Sequence, residues 1–279
     1  MTVEIDDLKL EYIPIERARK MSGLRVVLPA YPIPGPWRES CKGILYVKGL
    51  NDYVCVKAAN AGESDLAVGM ENTQSELIAW TGQSSGPVIA YDDELPRSKW
   101  YDQLTLAERL APTPPLIPDD IEQRMRMYGL ANELLGENGL VWKKRHLMIH
   151  QPLNALPDED EQRAFWTFLG HKYGYSPEAA DRAGHEMAEI LSVFDKQLAA
   201  QKSAGSRFLV GDRLSAVDIY WAASCGILAP MESARCPMAD AFRGPYGNEH
   251  PAIARTLSPE LIAHRDFIYE EFLELPVIF

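Results

Sequence analysis

The sequence predicts two unlike halves: an α/β unit on a small mixed sheet, then a unit built of helices alone. Three observations carry this. Short β-branched runs alternate with helical stretches as far as about residue 110. Residues 111–118 hold four prolines, a stiff stretch that neither a helix nor a β-ladder accommodates. Beyond it, apolar residues recur at three- and four-residue spacing, behind residues suited to helix capping.

Residues 1–22 form a polar extension with a short helix expected at 15–21. The run Leu24-Arg-Val-Val-Leu28 reads as a buried strand, and the prolines of 31–37 impose a loop after it. Pro36 suits the first turn of a helix, which would turn Cys41, Ile44, Leu45 and Val47 inward and stop at Gly49. Strands are expected at 53–57 and 86–91, separated by an irregular stretch over 58–75. Arg97 and Ser98 then open a helix running to Leu110. After the linker at 112–118, Asp119 or Asp120 caps a helix ending at Gly136, and Ser176-Pro177 starts another. A last helix covers about 259–273. The boundaries drawn are 1–22, 23–111, 112–118 and 119–279.

Hydrophobic residues make up 46% and charged residues 24%, the balance of a folded globular chain rather than a disordered one. The 28 Lys and Arg against 40 Asp and Glu give a net charge of −12 with no basic block, which demotes nucleic acid as a partner. Apolar runs are too short to span a bilayer, and the acidic start lacks the pattern of a secretory signal, so a cytoplasmic protein with no membrane partner is expected. Cys41, Cys55, Cys225 and Cys236 have no Cys-x-x-Cys spacing. Reduced thiols and no metal are the expectation. Gly184-His-Glu-Met lacks the second histidine of a zinc-protease motif, and Lys143–His146 is read as complementing a helix end.

Phe208-Leu-Val-Gly-Asp212, followed by Ser215 and Asp218 in capping-box spacing, reads as a well-capped core helix. This string resembles the capped core helix of cytosolic glutathione transferases. That family joins a thioredoxin-like domain to an all-helical one, and the resemblance covers roughly residues 24–275. It implies glutathione as co-substrate, a homodimer, and a small electrophilic molecule as second substrate.

The resemblance also implies a site. Pro87 matches the cis proline beside which glutathione pairs as a short β-partner, with Gly86 and Val88 its neighbours; the plain reading is a proline opening a strand. Ser98 matches the serine that holds the γ-glutamyl end at a helix start, where free N–H groups favour a carboxylate. Arg97 departs from the family's glutamate, because a guanidinium accepts no bond from an ammonium. Gly35 stands where thiol-type members carry cysteine, which disfavours disulfide exchange, and Trp37 and Arg38 follow as glutathione contacts. Tyr31 stands where tyrosine-type members place the hydroxyl that donates to the glutathione sulfur, or else it packs on the loop. Tyr128, Asn132 and Trp142 are expected to line the second-substrate cleft, or to pack between helices. Trp37 and the Lys48-Gly49-Leu50 ending are similar to bacterial β-etherase-type members. The rival expectation is a glutathione-binding or interaction protein on this fold that lacks catalysis.

Overall fold

The computed structural model describes residues 10–29, 33–58, 74–238, 240, 243–247 and 250–279. A short helix α1 (Ile15–Ala18) leads into β1 (Leu24–Leu28), α2 (Pro36–Val47) and β2 (Val54–Lys57). Then come α3 (Ser75–Thr81), β3 (Val88–Tyr91) and α4 (Trp100–Leu110). The three strands form a sheet ordered β2-β1-β3, with β1 parallel to β2 and antiparallel to β3. After the linker come α5 (Ile121–Leu135), α6 (Leu140–Ala155), α7 (Glu161–Tyr173), α8 (Pro177–Ser203), α9 (Ala216–Cys225), α10 (Pro251–Thr256) and α11 (Pro259–Phe272). Among the described residues no strand lies beyond residue 118. The predicted fold class, α/β followed by all-α, holds.

Strand alternation divides the core. Val26 and Leu28 face the large cluster that runs from α2 and α4 through to Phe194 and Trp221. Val27 faces the opposite way and packs with Val56, Val88 and Leu77 under α1 and α3. Helix α2 ends as the sequence predicts: Gly49 is left-handed (φ +66°), its N–H donates to the Tyr46 carbonyl at 3.0 Å, and the Leu50 N–H reaches the Leu45 carbonyl at 2.9 Å. Asp120 and Ser176 cap α5 and α8 through the backbone N–H groups of Gln123 and Ala179.

Every residue of α9 is buried, and this helix packs against α2, α5 and α11. Asp218 holds its start together. Its carboxylate accepts from the Ser215 N–H (3.0 Å), the Ser215 hydroxyl (2.9 Å) and the Leu209 N–H (2.7 Å). His264 Nε2 on α11 donates to the same carboxylate at 3.0 Å. One side chain therefore joins the segment at 208–210, the first turn of α9 and α11.

At three places the structure adds to or corrects the sequence expectations. Helix α3 (Ser75–Thr81), which no sequence expectation covers, follows the irregular stretch over 58–75, of which residues 59–73 lie outside the described residues. Lys143–His146 lies in the first turns of α6 and complements a helix end only through His146, whose Nε2 meets the carbonyl of Tyr173, the last residue of α7, at 2.7 Å; Lys143 pairs with Glu186, and Lys144 Nζ donates to the Gly247 carbonyl at 2.6 Å. Helix α4 begins at Trp100 with Lys99 as N-cap, so Ser98 does not cap it. None of the described helices is long and apolar enough to cross a membrane.

Candidate functional site

The site is built where β3 begins and α4 starts. The Gly86–Pro87 peptide is cis, as the resemblance implies. Gly86 is dictated by close approach: a Cβ there would stand 2.6 Å from the Val27 carbonyl oxygen. Pro87 is buried, and Val88 pairs with Val27 in the ladder and is fully buried, so its side chain is closed to a ligand. Among the described residues the N–H and C=O of Gly86 have no hydrogen-bond partner.

Beyond the strand, the chain returns along the outer edge of β3. Arg97 exchanges two backbone hydrogen bonds with Ile89, each 2.8 Å. That bridge keeps the backbone extended through Arg97, which is why the helix starts later than its sequence suggests. The Arg97 guanidinium meets Glu94 at 2.5 Å, and Arg109 meets the same carboxylate at 2.6 Å. These two cations hold the Glu94 carboxyl below its ordinary range. Ser98 is half-buried beside this turn and its hydroxyl makes no hydrogen bond among the described residues.

Tyr31 and its neighbours Ala30 and Pro32 lie outside the described residues. Their flanks are described. The Arg38 guanidinium, with only 2% of the residue exposed, donates to the Pro29 carbonyl at 2.8 Å and to the Ile33 carbonyl, and pairs with Glu39 at 2.8 Å. Lys42 pairs with Glu39 at 3.1 Å and donates to the Ile278 carbonyl. Arg38 also lies 5.1 Å from the Phe279 ring centroid, so the last residues of the chain close over this buried ionic group. Arg38 thus turns inward and holds Pro29 and Ile33 together.

Trp37 points toward the helical half. Its indole N–H donates to the Leu135 carbonyl at 2.9 Å, and its ring stacks on Tyr173 at 6.2 Å and meets Trp142 edge-on at 6.3 Å. Trp142 in turn donates to the Tyr173 carbonyl at 2.8 Å. Trp37 and Trp142, expected in two different subsites, are therefore one half-buried aromatic wall. Tyr128 belongs to a separate group, tilted against Trp100 at 6.0 Å, with Tyr220 edge-on to Trp100 at 5.5 Å. Asn132 lies between the two groups on α5 and is exposed. Tyr173, Trp100, Glu94 and Gln103 are additions that sequence reasoning missed; of these only Glu94, three residues before Arg97, carried a legible spacing.

The thiols are poor nucleophiles. Burial pushes Cys41, Cys225 and Cys236 up to about 12 and Cys55 up to about 11, so none holds a thiolate near neutral pH. Among the described residues no three metal-ligating side chains gather.

The model of the glutathione S-transferase C-terminal domain matches residues 161–241. A glutathione S-transferase from Methylobacterium radiotolerans, in complex with glutathione sulfonate, superposes with a TM-score of 0.56 at 17% identity, over 90% of this chain and 92% of that one. The chain has the glutathione transferase fold. The β-etherase LigF from Sphingobium sp. strain SYK-6 superposes with a TM-score of 0.53 at 16% identity, covering 88% of this chain and 99% of that one. Ure2p in complex with glutathione gives 0.51 at 13%, over 87% and 98%. No curated protein matches in sequence. Within the glutathione transferase fold, the sheet, the cis proline and the helical half take the places that the resemblance implies.

Proposed function

We propose that this protein is a glutathione transferase that binds glutathione along the start of β3 and α4 and activates its thiol toward a small electrophile. The observation that carries this reading is the cis Gly86–Pro87 turn, with the Gly86 backbone unpaired beside the first turn of α4. An extended peptide can pair with that backbone as a short extra strand. The free N–H groups of the first turn of α4, with Ser98, favour its γ-glutamyl carboxylate. The second substrate would lie against Trp37, Trp142 and Tyr173, with Tyr128 and Asn132 farther along α5. A homodimer in the cytoplasm belongs to the same reading.

Activation falls to Tyr31. A free thiol titrates near 8.5, leaving only a few per cent thiolate at neutral pH. A hydroxyl donating to sulfur favours the thiolate and lowers that value. Calorimetry should show glutathione binding, and an aryl halide should be turned over. Tyr31→Phe should keep the affinity and slow transfer about tenfold near pH 7, one pKa unit's worth, the loss shrinking above about pH 8.5. Absence of glutathione binding overturns the reading. Full activity in Tyr31→Phe moves thiol activation to the backbone N–H groups at the start of α2.

One observation favours the alternative, a glutathione-binding protein without catalysis. The place of the family's acidic residue is held by Arg97, already paired with Glu94. Binding without turnover of any electrophile is its expected signature.

A further inference from the structure

Gln103 is a buried amide on α4 whose position matters more than its type suggests. It is 5% exposed, within a helix that otherwise buries apolar residues toward the sheet. Its side-chain N–H₂ group donates to the Pro87 carbonyl at 3.0 Å and to the Arg97 carbonyl at 3.3 Å.

The register explains why the Pro87 carbonyl needs it, while the Arg97 carbonyl, which already accepts from the Ile89 N–H, takes a second bond. Val88 and Ala90 turn their backbone groups toward β1, whereas Ile89 turns outward and bonds Arg97. Pro87, two residues before Ile89, also faces outward. It has no N–H, and its carbonyl would be a buried acceptor at the end of an exposed edge. The returning chain pairs with Ile89 only, because it leaves the edge to enter α4 at Trp100. Gln103, one turn into α4, supplies the missing donor and ties the edge to the return.

We propose that Gln103 is a positioning residue for glutathione, fixing the Pro87 turn relative to the segment carrying Arg97 and Ser98. The proposal rests on the transferase reading, because those two segments bracket the place assigned to the peptide. Glutathione would bridge them, with its cysteinyl backbone on Gly86 and its γ-glutamyl end at Ser98. A shift of one segment against the other spoils both contacts at once. Gln103 itself touches neither the thiol nor the electrophile.

The test compares wild type, Gln103→Met and Gln103→Glu by calorimetry with glutathione, steady-state kinetics and amide hydrogen exchange. Gln103→Met keeps the shape and removes both donated bonds, leaving the Pro87 carbonyl buried and unpaired. It should raise the glutathione Kd about tenfold, within the usual cost of an orphaned buried acceptor, while kcat at saturating glutathione stays near wild type. Gln103→Glu should be weaker still at pH 7, where a carboxylate faces two carbonyls. A protonated carboxyl regains one donor, so its affinity relative to wild type should recover as the pH falls toward about 5. Exchange of the Arg97 amide needs no glutathione and should quicken in Gln103→Met.

A lowered Tm with unchanged glutathione affinity would make Gln103 a packing residue and overturn the proposal. So would an Arg97 amide that exchanges as in wild type. Quickened exchange in a protein whose wild type binds no glutathione would keep the clamp but remove the transferase reading, and the positioning role with it.

Discussion

Asp218→Ala is expected to lower the unfolding free energy by roughly 3–5 kcal/mol, read by urea denaturation. The carboxylate is fully buried and serves the Ser215 N–H and hydroxyl, the Leu209 N–H and His264. Alanine leaves these donors inside the protein with no acceptor and no route to water. The effect far exceeds that of an ordinary helix cap, worth about 1 kcal/mol, because the donors come from three separate segments. Asp218→Asn keeps the shape and one acceptor oxygen, so it should recover part of the loss and remain measurable if the alanine variant does not fold. A loss below about 1 kcal/mol in Asp218→Ala would mean that the shared carboxylate does not hold the three segments.

Arg38→Met should cost roughly 3 kcal/mol, because it breaks a buried charge group by removing one partner. Glu39 would keep Lys42, but the Pro29 and Ile33 carbonyls would lose the guanidinium. Combining Arg38→Met with Glu39→Gln should cost less than the sum of the single changes, since each of them alone already removes the Arg38–Glu39 pair. The outcome separates two roles for Arg38. A brace gives a large fall in stability, whereas a direct glutathione contact gives weaker binding with the unfolding midpoint unchanged.

The elements that could be read from the sequence are those with local punctuation. Pro36 and Gly49 bound α2, Asp120 and Ser176 cap α5 and α8, and the Ser215–Asp218 spacing marks α9. Helices α6 and α7 offer weaker signals. Helix α6 buries Lys144 and His146, polar residues whose partners are the backbone carbonyls of Gly247 and Tyr173, distant in sequence. Helix α7 leaves most of its length exposed and buries only Gly170. In the candidate site, the cis proline is implied by the family resemblance alone, since the residues themselves read only as a proline opening a strand. Gln103 was not legible, since a glutamine in a helix is unremarkable until the carbonyls of Pro87 and Arg97 are placed beside it. Arg97 and Ser98 read as the opening of a helix, but the Arg97–Ile89 bridge keeps the chain extended there and delays the helix to Trp100.

The proline segment between the halves was read as a stiff spacer, yet both of its faces are fastened. Lys48 Nζ donates to the Pro114 carbonyl at 2.6 Å, Glu108 accepts from the Leu116 N–H at 2.7 Å, and the Ala216 N–H reaches the Leu116 carbonyl at 2.9 Å. The Lys48–Glu108 ion pair, 2.6 Å, locks the first two of these anchors to each other. A segment riveted to α2, α4 and α9 transmits loss of order in one half directly to the other. The two halves should therefore behave as a single cooperative unit, giving one heat-absorption peak in scanning calorimetry rather than two.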